Sequence, residues 1–172
     1  MIDTDTLLVS YVDNFLEEKN LRSLQSLIPT LNLRPTASTA YGNYGFRHNF
    51  TLEDWKENYI FEKIKKTFHP TLDLYPIEIA IHLKQDADKP KAHTDKDSGG
   101  ETLFNFLLFL QGEPLFNNGT GFYKNNDLSA HIGFIENRAI FFNGTKVLHG
   151  PLQWAGESSP RYTLNMFLRV KK

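Results

Sequence analysis

From Ile77 to Val170 the chain is written in short apolar stretches, each closed by a turn signal, and this spacing limits the fold more than any other feature. Ile77–Lys84 alternates, with Ile77, Ile79, Ile81 and Leu83 on one face. Thr102–Leu110 is apolar on both faces, as a strand covered on both sides is, with Asn105 the polar exception inside it. Gly112, Pro114, Asn117, Asn118 and Gly119 form a turn-rich connection. G-F-Y-K, H-I-G-F-I, R-A-I-F-F and K-V-L-H follow as short strands, and Arg161–Val170 closes the series as a long one. The pattern predicts a β-sandwich or barrel.

The lead-in reads differently. Leu7–Phe15 is β-leaning, and Asp13 or Asn14 is placed to cap a helix over Leu16–Leu27, with Leu21, Leu24 and Ile28 on one stripe and Pro29 as its stop. Residues 30–44 read as irregular and Phe46–Phe50 as a short strand. Thr51 with Asp54 at N3 predicts a helix start, the helix running to about Phe68 with Leu52, Trp55, Tyr59, Ile60 and Ile64 on its apolar side. Lys63, Lys65 and Lys66 suit its C-terminal end as a solvated charge cluster. The 172 residues suffice for one domain, with residues 1–70 as helical lead-in and support and 71–172 as the β core.

Chemistry concentrates in K-A-H-T-D-K, Lys91–Lys96. His93 and Asp95 are two residues apart, so on an extended backbone an imidazole and a carboxylate point the same way. His149, in V-L-H-G-P, is far enough along for several strands to intervene, which is how a barrel brings distant strands to one mouth. Two histidines and one carboxylate on one side of a metal, with other positions open, form the facial triad of non-haem Fe(II) oxygenases. Arg161 opens the last strand and Thr163 shares its face, continued by Asn165, Phe167 and Arg169. A guanidinium fork beside a hydroxyl fits a carboxylate. Arg169, near the terminus, is read as solvated.

In that order, H-T-D, V-L-H-G-P and R-Y-T resemble the H-x-D…H…R-x-S/T signature of the Fe(II)/2-oxoglutarate-dependent dioxygenases, and most the prolyl-4-hydroxylase-like branch. The resemblance covers roughly Ile77–Val170, and Y-V-D-N-F-L-E-E resembles the strand-then-helix opening of that branch. It implies a mainly β fold with N-terminal helices: a double-stranded β-helix, or jelly roll, with helices on one outer face. It implies iron held by His93, Asp95 and His149, and 2-oxoglutarate bound through Arg161 and Thr163, with O2 as co-reactant and ascorbate as an accessory reductant. His82 stands where the branch often carries a tyrosine for the cosubstrate; it reads as a cosubstrate contact, a substrate-facing group or a core histidine. Asn105 reads as a pocket-lining amide. Retention of Asp95 points to hydroxylation rather than halogenation. The substrate expected is an amino-acid or peptidyl side chain, prolyl for example, or a small molecule, met at a mouth bordered by Arg34–Arg47 and Leu115–Asn126.

Composition removes competing classes. Fourteen Phe, seven Tyr and two Trp indicate a packed core. A net charge of −1 gives no nucleic-acid signal. The absence of cysteine excludes disulfides, thiolate nucleophiles and Cys-based metal sites. The acidic start M-I-D-T-D-T-L-L is unlike a signal peptide, and F-N-F-L-L-F-L is too short to span a membrane, so a cytoplasmic protein is expected. Asn49, Asn118 and Asn143 begin N-x-T triplets, the last two better read as Asn-Gly turns. His48, His69 and His131 have no converging partners and read as structural. No phosphate-loop ending follows Gly119-Thr120-Gly121, and no G-x-S-x-G elbow occurs. Two other readings use the same residues: a cupin-like metalloenzyme without 2-oxoglutarate, for which zinc would also serve, and a non-catalytic binding barrel.

Overall fold

The computed structural model describes residues 9–38, 42–69, 71–85, 91–95, 102–150 and 160–171. Ten strands and two α-helices are found among them: β1 (Val9–Val12), α1 (Glu18–Leu27), β2 (Arg34–Ser38), β3 (Gly42–Phe50), α2 (Asn58–Phe68), β4 (Leu74–Lys84), β5 (Phe104–Gly112), β6 (Thr120–Lys124), β7 (Asp127–Ile132), β8 (Ala139–Asn143), β9 (Leu148–Gly150) and β10 (Arg161–Val170). Seven strands form one sheet in the order β1-β8-β5-β10-β4-β3-β2, and three form a second, β7-β6-β9. Neighbours are antiparallel throughout, and sequence-distant strands lie side by side, as in a jelly roll. No helix among the described residues is long and apolar enough to cross a membrane.

The large sheet has two apolar faces, and strand parity decides which residue serves which. Phe106, Leu108 and Leu110 of β5 and Leu164, Met166 and Leu168 of β10 join one cluster with Leu21 and Leu24 of α1 and Ile60 and Ile64 of α2. The helices thus cover the outer face through residues three or four apart. The opposite parity, Leu107 and Phe109 of β5 with Ile140 and Phe142 of β8, meets Phe122 of β6 and Ile132 of β7 between the sheets. The β10–β4 register sets Thr163 opposite His82 and Arg161 opposite Lys84. The odd-numbered face of β10 is therefore the inner one.

Several boundaries differ from expectation, each through a tertiary partner. Neither Asp13 nor Asn14 caps α1: the Asp13 carboxylate accepts from Arg138 at 2.5 and 2.9 Å, Asn14 takes a left-handed φ of 53°, and the helix starts at Glu18. Leu16 lies outside the helix because Asn137 holds it; Leu16 N–H donates to Asn137 Oδ1 and Asn137 Nδ2 donates to Leu16 O, both at 2.8 Å. Thr51 and Asp54 do bond, Asp54 N–H to Thr51 Oγ1 at 3.0 Å, but they close a turn that seats Trp55 against Phe50, and α2 begins only at Asn58. The stretch 30–44, expected irregular, contributes β2, paired with β3 through a bulge after Thr36. The strand expected at H-I-G-F-I runs instead over Asp127–Ile132, and that at K-V-L-H begins at Leu148 because Lys146 and Val147 turn back onto Asn143 O. Arg169 is half-buried rather than solvated.

Candidate metal centre

Segment 91–95 joins the small sheet at a single bridge. His93 N–H donates to His149 O, and His149 N–H to His93 O, each at 2.9 Å. Two imidazoles on directly opposed residues must share one face, and their ring centroids are 4.7 Å apart. Gly150 allows the approach: a Cβ there would lie 2.9 Å from Ala92 Cα.

Each ring is oriented from behind. His93 Nδ1 donates to Lys91 O and His149 Nδ1 to Val147 O, both at 2.9 Å. That fixes the tautomer and leaves the Nε2 lone pairs facing the gap. Asp95 completes it, Oδ1 3.6 Å from His93 Nε2 and Oδ2 3.4 Å from His149 Nε2. Ligand atoms of His93, Asp95 and His149 lie within 4.8 Å of one another. Burial lowers the His93 pKa, but the hydrogen bond to Asp95, the Lys91 carbonyl and the Asp95 charge outweigh it and hold His93 above its ordinary value. His149, more deeply placed, is pushed down by burial despite Asp95. Two neutral imidazole lone pairs and one carboxylate suit Fe(II).

A second group forms where β10 pairs with β4. Arg161 Nη1 donates to the carbonyls of Asn118 and Gly119, its Nε has no partner among the described residues, and its guanidinium lies 5.3 Å over the Phe109 ring. Burial lowers its pKa to about 10, so it remains a cation. No carboxylate among the described residues pairs with it. Thr163 is buried on the same face, opposite His82. Burial first, then the charges of Arg47 and Arg161, push His82 down to about 3, so the ring is neutral. Asn165 Nδ2 donates to His82 Nδ1 at 3.3 Å, which puts the ring proton on Nε2, and that atom is buried without a partner among the described residues. A half-buried cation, a buried hydroxyl and an N–H that no described residue uses thus share one wall, a set that fits an anion's oxygens.

Asn105 belongs with the first group: its Nδ2 donates to Asp95 Oδ2 at 2.5 Å. Sequence reasoning missed Gly144, whose carbonyl accepts from Asp95 N–H at 2.9 Å, and placed Arg47 only as the end of a mouth segment, without its position opposite His82 on β3 or its pairing with Glu78. Neither carries a local signal; only strand pairing brings them in. His48 bonds Asn32 O and packs on Phe50, His69 packs on Phe104 and Phe141, and His131 lies against Phe116.

By sequence, no family model and no characterised relative matches the chain. By structure, it is similar to a Pseudomonas putida prolyl-4-hydroxylase, TM-score 0.70 and 14% identity over 97% of this chain and 95% of that one. It is similar to the viral collagen prolyl hydroxylase of Paramecium Bursaria Chlorella virus-1, solved with 2-oxoglutarate, TM-score 0.68 and 16% identity over 97% and 98%. It is also similar to SnoN, the non-heme alpha-ketoglutarate-dependent epimerase of nogalamycin biosynthesis, TM-score 0.68 and 11% identity over 95% and 76%. At these identities the likeness is one of fold, and the fold is that of the prolyl-4-hydroxylase-like 2-oxoglutarate/Fe(II) oxygenases.

Proposed function

We propose that this chain is an Fe(II)- and 2-oxoglutarate-dependent oxygenase that hydroxylates an amino-acid or peptidyl side chain, such as a prolyl ring, or a small molecule. The balance is substrate C–H plus O2 plus 2-oxoglutarate to C–OH, succinate and CO2. The observation that carries the reading is Arg161, a half-buried cation with no carboxylate partner among the described residues, beside a His82 N–H that none of them uses, on the barrel that also holds the His93–Asp95–His149 group. His93, Asp95 and His149 would hold iron, which when bound supplies one-electron and O2 chemistry. Arg161, Thr163 and His82 bind and orient the far carboxylate of the cosubstrate. Phe109, Phe122 and Phe142 keep water from the inner wall.

Substrate class is the finer part of the proposal. The solved neighbours include a prolyl hydroxylase bound to a peptide fragment and SnoN bound to nogalamycin RO, so the fold serves both peptides and small molecules. In this chain Arg34 and Arg47 sit opposite each other at the β2–β3 edge, in register with His82, where the substrate mouth is proposed.

The test is anaerobic titration of Fe(II)-loaded protein with 2-oxoglutarate, following the weak visible charge-transfer band of the chelate. The band is expected in the parent protein, lost in His149→Ala and moved to higher cosubstrate concentration in Arg161→Ala. Metal binding without a band, with Arg161→Ala indistinguishable from the parent, refutes 2-oxoglutarate use and favours the cupin-like reading.

A further inference from the structure

From Phe104 to Leu110, β5 is apolar along both faces except at Asn105, and this amide is 4% exposed. One end of it is satisfied, Nδ2 donating to Asp95 Oδ2 at 2.5 Å, while Oδ1 is buried with no partner among the described residues. A half-satisfied buried amide destabilises a core, and leucine, with the same branching and heavy-atom count, would remove the polar penalty beside Leu107 and Phe109. Among the described residues, only Asp95 uses the amide. Gly144 closes the other side. Its carbonyl accepts from Asp95 N–H at 2.9 Å, and its own N–H donates to Leu103 O at 2.8 Å. A Cβ at Gly144 would lie 2.5 Å from both Asn105 Oδ1 and Asp95 Oδ2. Amide and carboxylate meet in a space that only glycine leaves open.

We propose that Asn105 is a positioning residue that restricts Asp95 to one-armed metal ligation, with Gly144 as the gap that lets it do so; this rests on the metal-site reading above. The donor occupies Oδ2 and leaves Oδ1 to meet the ion beside the imidazoles. Carboxylates bind metals through one oxygen or two. On a six-coordinate ion, three protein ligands with a one-armed carboxylate leave three positions open, and a chelating 2-oxo acid then leaves one. A two-armed Asp95 would take that last position. Asn105 thereby decides whether the ion keeps a site for O2 once the cosubstrate is bound.

The experiment counts waters on bound Mn(II), a spectroscopic stand-in for Fe(II), by water-proton relaxation with and without 2-oxoglutarate. The protein is compared with Asn105→Leu, which removes the donor, and Gly144→Ala, which wedges the pair apart. In the parent protein 2-oxoglutarate is expected to reduce the coordinated waters to one. In both variants each state is expected to hold one water fewer, so that none remains with 2-oxoglutarate. Thermal melts of the metal-free proteins should show Asn105→Leu at least as stable as the parent, which a merely structural role for the amide would not give. Folded variants with the parent's water counts refute the inference, as does weaker Mn(II) binding with unchanged counts. A parent protein that fails to bind Mn(II), or whose waters 2-oxoglutarate does not displace, refutes the metal and cosubstrate reading itself, and does so before any variant is made.

Discussion

His82 makes the protein acid-sensitive in a way that can be sized from its surroundings. The ring is held neutral down to about pH 3, against an ordinary value of 6.5, by burial and by the flanking Arg47 and Arg161 charges. A histidine kept neutral in the fold but free to protonate when unfolded stabilises the fold fully only above the unfolded value. As pH falls below 6.5 the unfolded chain gains a proton that the folded one refuses, so stability drops until the folded value is reached. Each pH unit withdraws about 1.4 kcal/mol, so about 2.7 kcal/mol is lost at pH 4.5. For a chain of this size that is a fall of about 5–10 °C in Tm. His82→Gln fills a similar volume and does not ionise. His149 and His131 are also pushed down by burial and act in the same direction, but they are present in both proteins and cancel in the comparison. Melting curves of parent and variant at pH 7.5 and 4.5 give the double difference. The parent should lose about 5–10 °C more than His82→Gln over that interval. An equal loss in both would refute the placement of His82 beside two arginines as a neutral ring.

Two other contacts give independent checks. Asn137→Ala strands the buried N–H and C=O of Leu16, each bonded at 2.8 Å, and should cost about 2–5 kcal/mol in urea denaturation, whereas a loss under about 0.5 kcal/mol would mean that these bonds do not hold the entry to α1. The Arg138 hydrogen bond holds the Asp13 pKa below its ordinary 3.8; the stabilisation is present above that value and lost as pH falls through the depressed one. Asp13→Asn should therefore be less stable than the parent at neutral pH, with the difference closing in acid below pH 3.8, and a difference independent of pH would contradict the pairing.

What the sequence made legible is what local periodicity carries. β10 runs over Arg161–Val170 as its alternation predicts, with odd residues on the inner face. The i, i+2 spacing of His93 and Asp95 does bring them to one side, because the backbone bridge to His149 holds that segment extended. What the sequence hid is set by partners far along the chain. β2 is a strand because β3 lies beside it, not because R-P-T-A-S favours one. Asp13 looks like a helix cap until Arg138 is seen to take its carboxylate. His82 reads from the sequence as core or pocket; it is half-buried and on the inner face, and only the register with Thr163 shows it. Gly144 could not be found at all, and Arg47 could be placed near the mouth but not opposite His82, since their meaning lies in a distance to another strand.

The alternation along β10 has a consequence for how this protein tolerates change. Leu164, Met166 and Leu168 are sealed against the helices, while Arg161, Thr163 and Asn165 face the interior of the barrel. One strand therefore carries two interleaved messages, one read by folding and one, on the function proposed above, by chemistry, and neither residue set borrows positions from the other. In a saturation scan scored separately for abundance and for turnover, consecutive positions of this strand should fail in alternate assays. The chain can be retuned at every second residue without being refolded, so a lineage could exchange its pocket while keeping its core.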